Sequence, residues 1–460
     1  MSDYKKTVEI IGGGTFSHLR NHLALSAPAF GTTAIKLAEM CKEHSDKLNV
    51  NLHLTKMADR NSKLETNKDV EKFVDTLIAN VDTKIIFFNA ALCDYDGAIV
   101  NFETNHEHPR ALSDISESKV TDDDFPFMAH LLDLTESGKH ETRLKTSRGN
   151  QIAFLQPADK VISKIRKTRK DIFLVAFKTT TGASDNEQYI AGLRLLKQNS
   201  CNLVLANDTV TRRNMIITPE ESRYGIGNVP EASSDRDAVL RNLVEMAYLR
   251  SHLSFTRSTV VSGESVDWNG AEVPDALRTV VNHCIKNNAY KEFNGATVGH
   301  FACKVNETTF LTSKRKTNFN DLSKLGLVKV VTDGPDSVIA YGAKPSVGGQ
   351  SQRLVFKTHQ DCDCIVHFHC PKIEGSLVPT MSQREYECGS HQCGQNTATG
   401  LQKFGNLYAV YLDNHGPNIV FNHDIDPNEV IDFIESNFDL SSKTGGPVKL
   451  KYPSPMFTEE

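Results

Sequence analysis

Ile365-Val366-His367-Phe368-His369 decides how the C-terminal half is read, together with Asn414-His415-Gly416. Side chains alternate along a β-strand, so histidines at i and i+2 share a face and both imidazoles can reach one metal ion. His415, followed by Gly416 and the apolar run Asn418-Ile419-Val420-Phe421, supplies a third nitrogen. Three histidines leave one position of a tetrahedral zinc ion open, the arrangement of a catalytic rather than a structural site. The competing arrangement is a Cys/His structural zinc site drawn from Cys362, Cys364, Cys370, Cys388 and Cys393. On a strand, however, Cys364 and His367 face opposite sides.

The chain has 460 residues, 39% of them apolar and 24% charged, as in soluble globular proteins of at least two domains. A net charge of −5 gives no electrostatic case for nucleic acid. No apolar run approaches the roughly 18 residues of a membrane span. Met1 to Lys6 run into a strand-like segment without the features of a signal peptide. Ten cysteines without framework spacing fit free thiols in a reducing compartment, so a cytoplasmic location is expected.

Val8-Glu9-Ile10-Ile11 reads as a buried strand meeting Gly12-Gly13-Gly14-Thr15, glycines that let backbone N–H groups approach an anion. After Gly31, Thr32 opens a helix through Lys42, with Ala34, Leu37, Ala38 and Cys41 on one face. Val50, Leu52 and Leu54 alternate as a strand. Val70, Phe73, Val74, Leu77 and Ile78 keep helical spacing. Lys84 to Phe88 form a buried strand ending in Asn89-Ala90-Ala91-Leu92-Cys93-Asp94-Tyr95. Residues 97–142 are polar and acidic, a solvated insertion or a lid. A strand over Ile172 to Phe177, capping-box spacing at Ser184 to Glu187, and a strand over Asn202 to Asp208 continue the alternation. Strands alternating with helices predict a doubly wound parallel sheet, with ligands at the carboxyl ends of its strands.

Gly12 to Thr15, Ala90 to Tyr95, Val175-Ala176-Phe177 and Leu205-Ala206-Asn207-Asp208 resemble, in order, the motifs of phosphopantothenoylcysteine synthetase over about residues 6–225. The resemblance implies a Rossmann-like fold, CTP or ATP with Mg²⁺, and activation of a carboxylate for attack by an amine. Gly13, Gly14, Thr15, Ala90, Ala91, Asp94, Phe177, Asn207 and Asp208 would then line the nucleotide site. The family's lysine cluster appears as Arg143-Leu144-Lys145-Thr146, which makes Lys145 a catalytic candidate. Where the family has Asn-x-Ser-Ser-Gly, this chain has Ala24-Leu25-Ser26-Ala27-Pro28, without the asparagine. Its Phe-Ala-x-Glu-Thr stretch reads Phe177-Lys178-Thr179-Thr180-Thr181.

Residues 216–237, rich in Pro, Glu, Ser and Gly, read as a boundary, followed by a helix around Leu240 to Leu249. Pro274 opens a further helix with Leu277, Val280, Val281 and Cys284 on its apolar side. Beyond it, Asn294 to Val305, Thr309 to Ser313, Gly342 to Ser346, the His367/His369 strand and His415 resemble, in order, the class II aldolase/adducin family over about residues 275–425. That resemblance implies an antiparallel sheet flanked by helices, often in a tetramer. It also implies a Zn²⁺ or similar divalent ion that stabilises an enediolate of a ketose phosphate. His367, His369 and His415 match the metal ligands. His300, Lys314, Arg315 and Ser346 match phosphate-binding positions. The family's catalytic glutamate falls on Gly348, which leaves Glu385 or Glu387 to act from another loop.

The expected organisation is an α/β protein. It has a nucleotide-binding, Rossmann-like domain over 1–225, a linker and helix over 226–273, and an α/β class II aldolase-like metal domain over 274–460. The expected function is a bifunctional metabolic enzyme, assembled as a dimer or tetramer and working on small molecules and a nucleotide. The alternative is a non-catalytic binding or assembly protein that retains both scaffolds, as adducin does.

Overall fold

A computed structural model describes residues 5–100, 135–136, 143–148, 151–225, 232–346, 349–445 and 447–449. Gly348 and most of the acidic insertion, with its histidines at 106, 108, 130 and 140, lie outside the described residues. Packing divides the chain into two compact units, Met1–Ala176 and Phe177–Glu460. The protein is of the mixed α/β class, with a parallel sheet in the first unit and a mainly antiparallel sheet flanked by helices in the second.

In the first unit, Lys6–Gly14 lies between Leu48–Leu54 and Thr83–Ala91, all parallel. Thr83–Ala91 in turn pairs with the start of Phe173–Thr180. The inner strands bury Val8, Ile10 and Ile11 and Ile85 to Phe88 because both faces are covered, whereas the edge strand Leu48–Leu54 alternates apolar and polar residues. The helix predicted from Thr32 is observed at Thr32–Lys42 and packs on Lys6–Gly14 and Leu48–Leu54. Its approach is close: a Cβ on Gly12 would stand 2.2 Å from that of Ala34. Asn67–Ala79 carries the predicted stripe, with Val70, Val74 and Leu77 buried, and its capping box joins Thr66 to Asp69.

One reading of the glycines is corrected. Gly12 to Gly14 are not a turn but the end of the strand Lys6–Gly14. Gly14 N–H donates to Ala29 O (2.7 Å) and Thr15 N–H to Ala91 O (3.1 Å), so these donors are already spent.

In the second unit, Ser184 and Glu187 form the predicted capping box of Asp185–Asn199, which packs on Leu203–Asp208. The stretch read as a boundary begins inside the short strand Asn214–Ile217 and contains a second, Arg223–Gly225. They pair antiparallel, with Asn214–Ile217 also on Leu203–Asp208, and their few apolar positions are buried. The helix Ala232–Arg250 follows.

The larger sheet of this unit places His300–Lys304, Cys364–His367 and Gly416–Phe421 side by side at its centre, all antiparallel. Alternation puts Phe301, Cys303, Val366, Ile419 and Phe421 into one core, with the helices Asp275–Lys286 and Pro427–Asn437. Ala302, Ile365 and Val420 enter a second core on the opposite face, with Val355 and Phe356 of Gly349–Thr358. Both faces of the three central strands are therefore covered, which fixes their register and the positions of the histidines at their ends.

Candidate metal centre

His367 ends the strand Cys364–His367, and His369 lies just past it. His415 sits in the turn between Leu407–Leu412 and Gly416–Phe421. Asn414 (φ 55°) and Gly416 (φ 141°) shape that turn. A Cβ on Gly416 would stand 2.1 Å from the carbonyl oxygen of Phe368, so only glycine lets the turn approach the chain between the other two histidines.

The three imidazoles are buried, and one ring nitrogen from each lies within 4.8 Å of the others. His367 Nδ1 is 2.7 Å from the carbonyl oxygen of Pro417. A carbonyl only accepts, so Nδ1 carries the proton and Nε2 presents a bare lone pair. That Nε2 stands 3.2 Å from His415 Nε2. Two nitrogens on one tetrahedral zinc ion stand about 3.4 Å apart, so the spacing suits shared coordination. Among the described residues, His369 Nδ1 and His415 Nδ1 are buried without hydrogen-bond partners, and buried polar atoms are costly to leave so. A carbonyl fixing the tautomer of a ligating histidine is a regular feature of metal sites.

The electrostatics agree. Burial pushes the His367 imidazolium down to about 4, although the Pro417 carbonyl favours it. Burial, then His415 and His367, hold His369 far below the ordinary histidine range. Burial, then His367 and His300, do the same to His415. All three rings are neutral at pH 7 and offer lone pairs, and these residues fit a divalent ion.

The cysteines do not compete. Cys364 faces the apolar core. Burial raises its thiol well above the ordinary value, and pushes Cys362 and Cys370 to about 12 and Cys393 to about 11. Among the described residues, no cysteine joins His367, His369 and His415 in a group with metal-ligand spacing.

His300 pairs opposite His367 across the strands, with ring centroids 4.7 Å apart. Its Nδ1 accepts from the side chain of Gln352, which accepts from Thr312 Oγ1 (3.1 Å). Lys314 and Ser346 are brought near each other by a bridge of Lys314 to Pro345 and by Ser346 N–H donating to Ser313 O. The Lys314 ammonium donates to Leu325 O, while Arg315 is exposed. Glu385 accepts from Ser382 Oγ (2.6 Å), and Glu387 accepts from Asn202 Nδ2 (2.9 Å).

In the first unit, Gly13 and Gly14 pair in register with Ala90 and Ala91. Thr15 is buried, its hydroxyl donating to Asn67 Oδ1 (2.7 Å). Asp94 and Lys160 form an exposed ion pair of 2.5 Å, and Lys145 is exposed. In the second unit, Phe177 is half-buried, and Asn207 Oδ1 accepts from Thr179 Oγ1 (3.2 Å). Asp208 is consumed by structure: it accepts from Thr180 Oγ1 and from the N–H groups of Gly182, Ala183, Val210 and Thr211.

Three residues that the motifs gave no reason to single out adjoin the histidines. They are Glu221, Lys197 and Lys443, linked by ion pairs. They are far apart in sequence and belong to no local pattern.

No curated protein sequence matches the chain. Among solved structures, the DNA/pantothenate metabolism flavoprotein from Streptococcus pneumoniae is 17% identical with a TM-score of 0.35, covering 47% of this chain and 89% of that one. The C-terminal domain of the coenzyme A biosynthesis bifunctional protein CoaBC is 14% identical (TM-score 0.33; 52% and 95% covered). L-fuculose 1-phosphate aldolase is 16% identical (TM-score 0.28; 36% and 85% covered). Residues 280–426, which carry all three histidines, match the family described as Class II Aldolase and Adducin N-terminal domain.

Proposed function

We propose that the second unit is a divalent-metal enzyme of the aldolase, epimerase or dehydratase type, acting on a phosphorylated sugar or related carbonyl compound. The observation that carries this reading is the buried cluster of His367, His369 and His415, with the His367 tautomer set by Pro417. These three residues would hold Zn²⁺ or a similar ion. When bound, such an ion supplies Lewis-acid polarisation of a carbonyl or hydroxyl oxygen. The chain's own part is to keep three neutral imidazoles in place, to exclude bulk water by burial, and to orient His367 through one carbonyl.

The engagement of Glu385 with Ser382 and of Glu387 with Asn202 favours a second reading, a non-catalytic binding or assembly protein that keeps the scaffold and its metal. Proton exchange separates the two. Metal-loaded full-length protein is incubated with ketose phosphates in D₂O and followed by NMR. Exchange of the proton beside the carbonyl, abolished by His369→Ala, supports the enzyme. No exchange with metal bound supports the second reading.

The N-terminal domain over 1–225 is proposed to bind a nucleotide, CTP or ATP with Mg²⁺, and to activate a carboxylate. Support comes from the parallel sheet, whose strand ends carry Ala90, Ala91 and Asp94. Calorimetric titration with each nucleotide tests it, and Asp94→Ala is expected to weaken binding. A cytoplasmic homo-oligomer remains part of the proposal. No helix among the described residues is long and apolar enough to cross a membrane.

A further inference from the structure

Glu221, Lys197 and Lys443 all lie outside the segment 280–426. Glu221 is buried at a φ of 67°, in the left-handed region that non-glycine residues adopt at a cost. Each of its carboxylate oxygens takes one ammonium, from Lys197 Nζ at 3.1 Å and from Lys443 Nζ. Lys197 also donates to Pro219 O (3.0 Å), and Lys443 Nζ stands 5.8 Å from the Phe293 ring centroid.

The backbone around this cluster is tied to the histidine loops from both sides. Ser222 Oγ donates to Asn414 O (2.8 Å). Thr444 N–H donates to His369 O (3.0 Å), and Thr444 Oγ1 to His415 O (2.9 Å). Gly445 N–H donates to Asn414 Oδ1 (3.0 Å). Thr444, following Lys443, thus holds His369 and His415 by their main-chain carbonyls, and Ser222, following Glu221, holds Asn414 beside His415.

Charge distinguishes this cluster from a simple ion pair. Burial alone would raise the Glu221 carboxyl, but Lys197 and Lys443 outweigh it and keep the group below the ordinary range, so it stays ionised. One carboxylate against two ammoniums leaves an excess of one positive charge. The carboxylate is shut in, whereas the Lys197 and Lys443 side chains remain 33% and 28% exposed, so the accessible groups are cations. Each ammonium has three N–H donors, of which Lys197 gives one to Pro219 O, and Glu221 faces one ammonium with each oxygen. The neighbouring imidazoles are neutral and a bound divalent ion adds positive charge, so neither of these offsets the lysines. An anionic ligand would.

We propose that Lys197 and Lys443, only half neutralised by Glu221, form an oxyanion subsite beside the three histidines, taking a phosphate or carboxylate group of a ligand whose other end reaches the metal centre. The second half of this statement rests on the metal reading above. The subsite itself does not.

The test is calorimetric titration of inorganic phosphate, with acetate in parallel, into the full chain. The proteins are wild type, Lys197→Met, Lys443→Met, Lys443→Arg and Glu221→Gln, with metal content measured on each. Wild type is expected to bind phosphate, acetate or both, and the stronger of the two names the ligand group. Each Met variant is expected to weaken that binding about tenfold or more, the share of a charged hydrogen bond. Lys443→Arg keeps the charge and is expected to keep binding. Glu221→Gln removes the opposing charge and is expected to tighten it, an outcome that an internal structural bridge does not give. Wild type binding neither anion, Met variants that bind as wild type does, or a Glu221→Gln variant that binds more weakly would each overturn the proposal. Anion effects without bound metal leave the subsite standing and remove the metal reading. Bound metal with anion binding indifferent to both lysines overturns the subsite alone.

Discussion

His367 faces His415 nitrogen to nitrogen at 3.2 Å, while its other ring nitrogen is held 2.7 Å from the carbonyl of Pro417. One hydrogen bond thereby decides which lone pair of His367 points into the cluster. The remaining geometry follows from two strands and a tight turn.

The metal-free protein is expected to lose stability as pH falls through the histidine range. The His367 imidazole titrates near 6.5 when unfolded and at about 4 when folded. Between these values the unfolded chain binds the proton and the folded one does not, so stability rises with pH across this window and is lost on acidification. His367 alone accounts for about 3 kcal/mol by pH 4, and burial of His369 and His415 acts in the same direction. Urea unfolding of the metal-free protein at a series of pH values checks this. A flat profile from pH 7 to 5 contradicts it.

Gly416→Ala is expected to cost roughly 3 kcal/mol, because φ is 141° and the new methyl group meets the Phe368 backbone. Gly182→Ala is the control. Its φ is 66°, yet no atom lies within 4 Å of the added Cβ, so only the backbone cost of about 1 kcal/mol applies. Equal losses at the two positions in chemical denaturation would count against a packed histidine turn.

Arg250 and Glu220 form a fully buried ion pair at 3.0 Å. Arg250 also donates to the carbonyls of Gln383 and Arg384, and Glu220 accepts from Cys388 N–H. Arg250→Met alone leaves a buried carboxylate without its cation and is expected to cost about 3–5 kcal/mol. Adding Glu220→Leu is expected to recover much of that loss. A double-mutant cycle measures the coupling, and strict additivity would mean that the pair does not act as one.

Much of the architecture was legible because local patterns carried it. Helical periodicity located Thr32–Lys42, Ser184 and Glu187 gave their capping box, and the His-x-His spacing marked the central strand Cys364–His367. The histidine cluster was legible from the His-x-His spacing and the turn at His415, although the strand ends at His367 and His369 lies just past it. Three successive glycines misled, since they end the strand Lys6–Gly14 and Gly12 leaves room for the Ala34 face of the next helix. The strands Asn214–Ile217 and Arg223–Gly225 are too short to show against their polar surroundings. Glu221, Lys197 and Lys443 left no signal, because only tertiary packing unites them.

The central claim is that His367, His369 and His415 bind one divalent ion. Its most direct test is elemental analysis of the full-length protein after reconstitution and dialysis, for wild type, His367→Ala and His415→Ala. About one metal per chain in wild type, lost in both variants, is the expected result. Wild type that retains no metal, or variants that retain as much as wild type, would contradict the account.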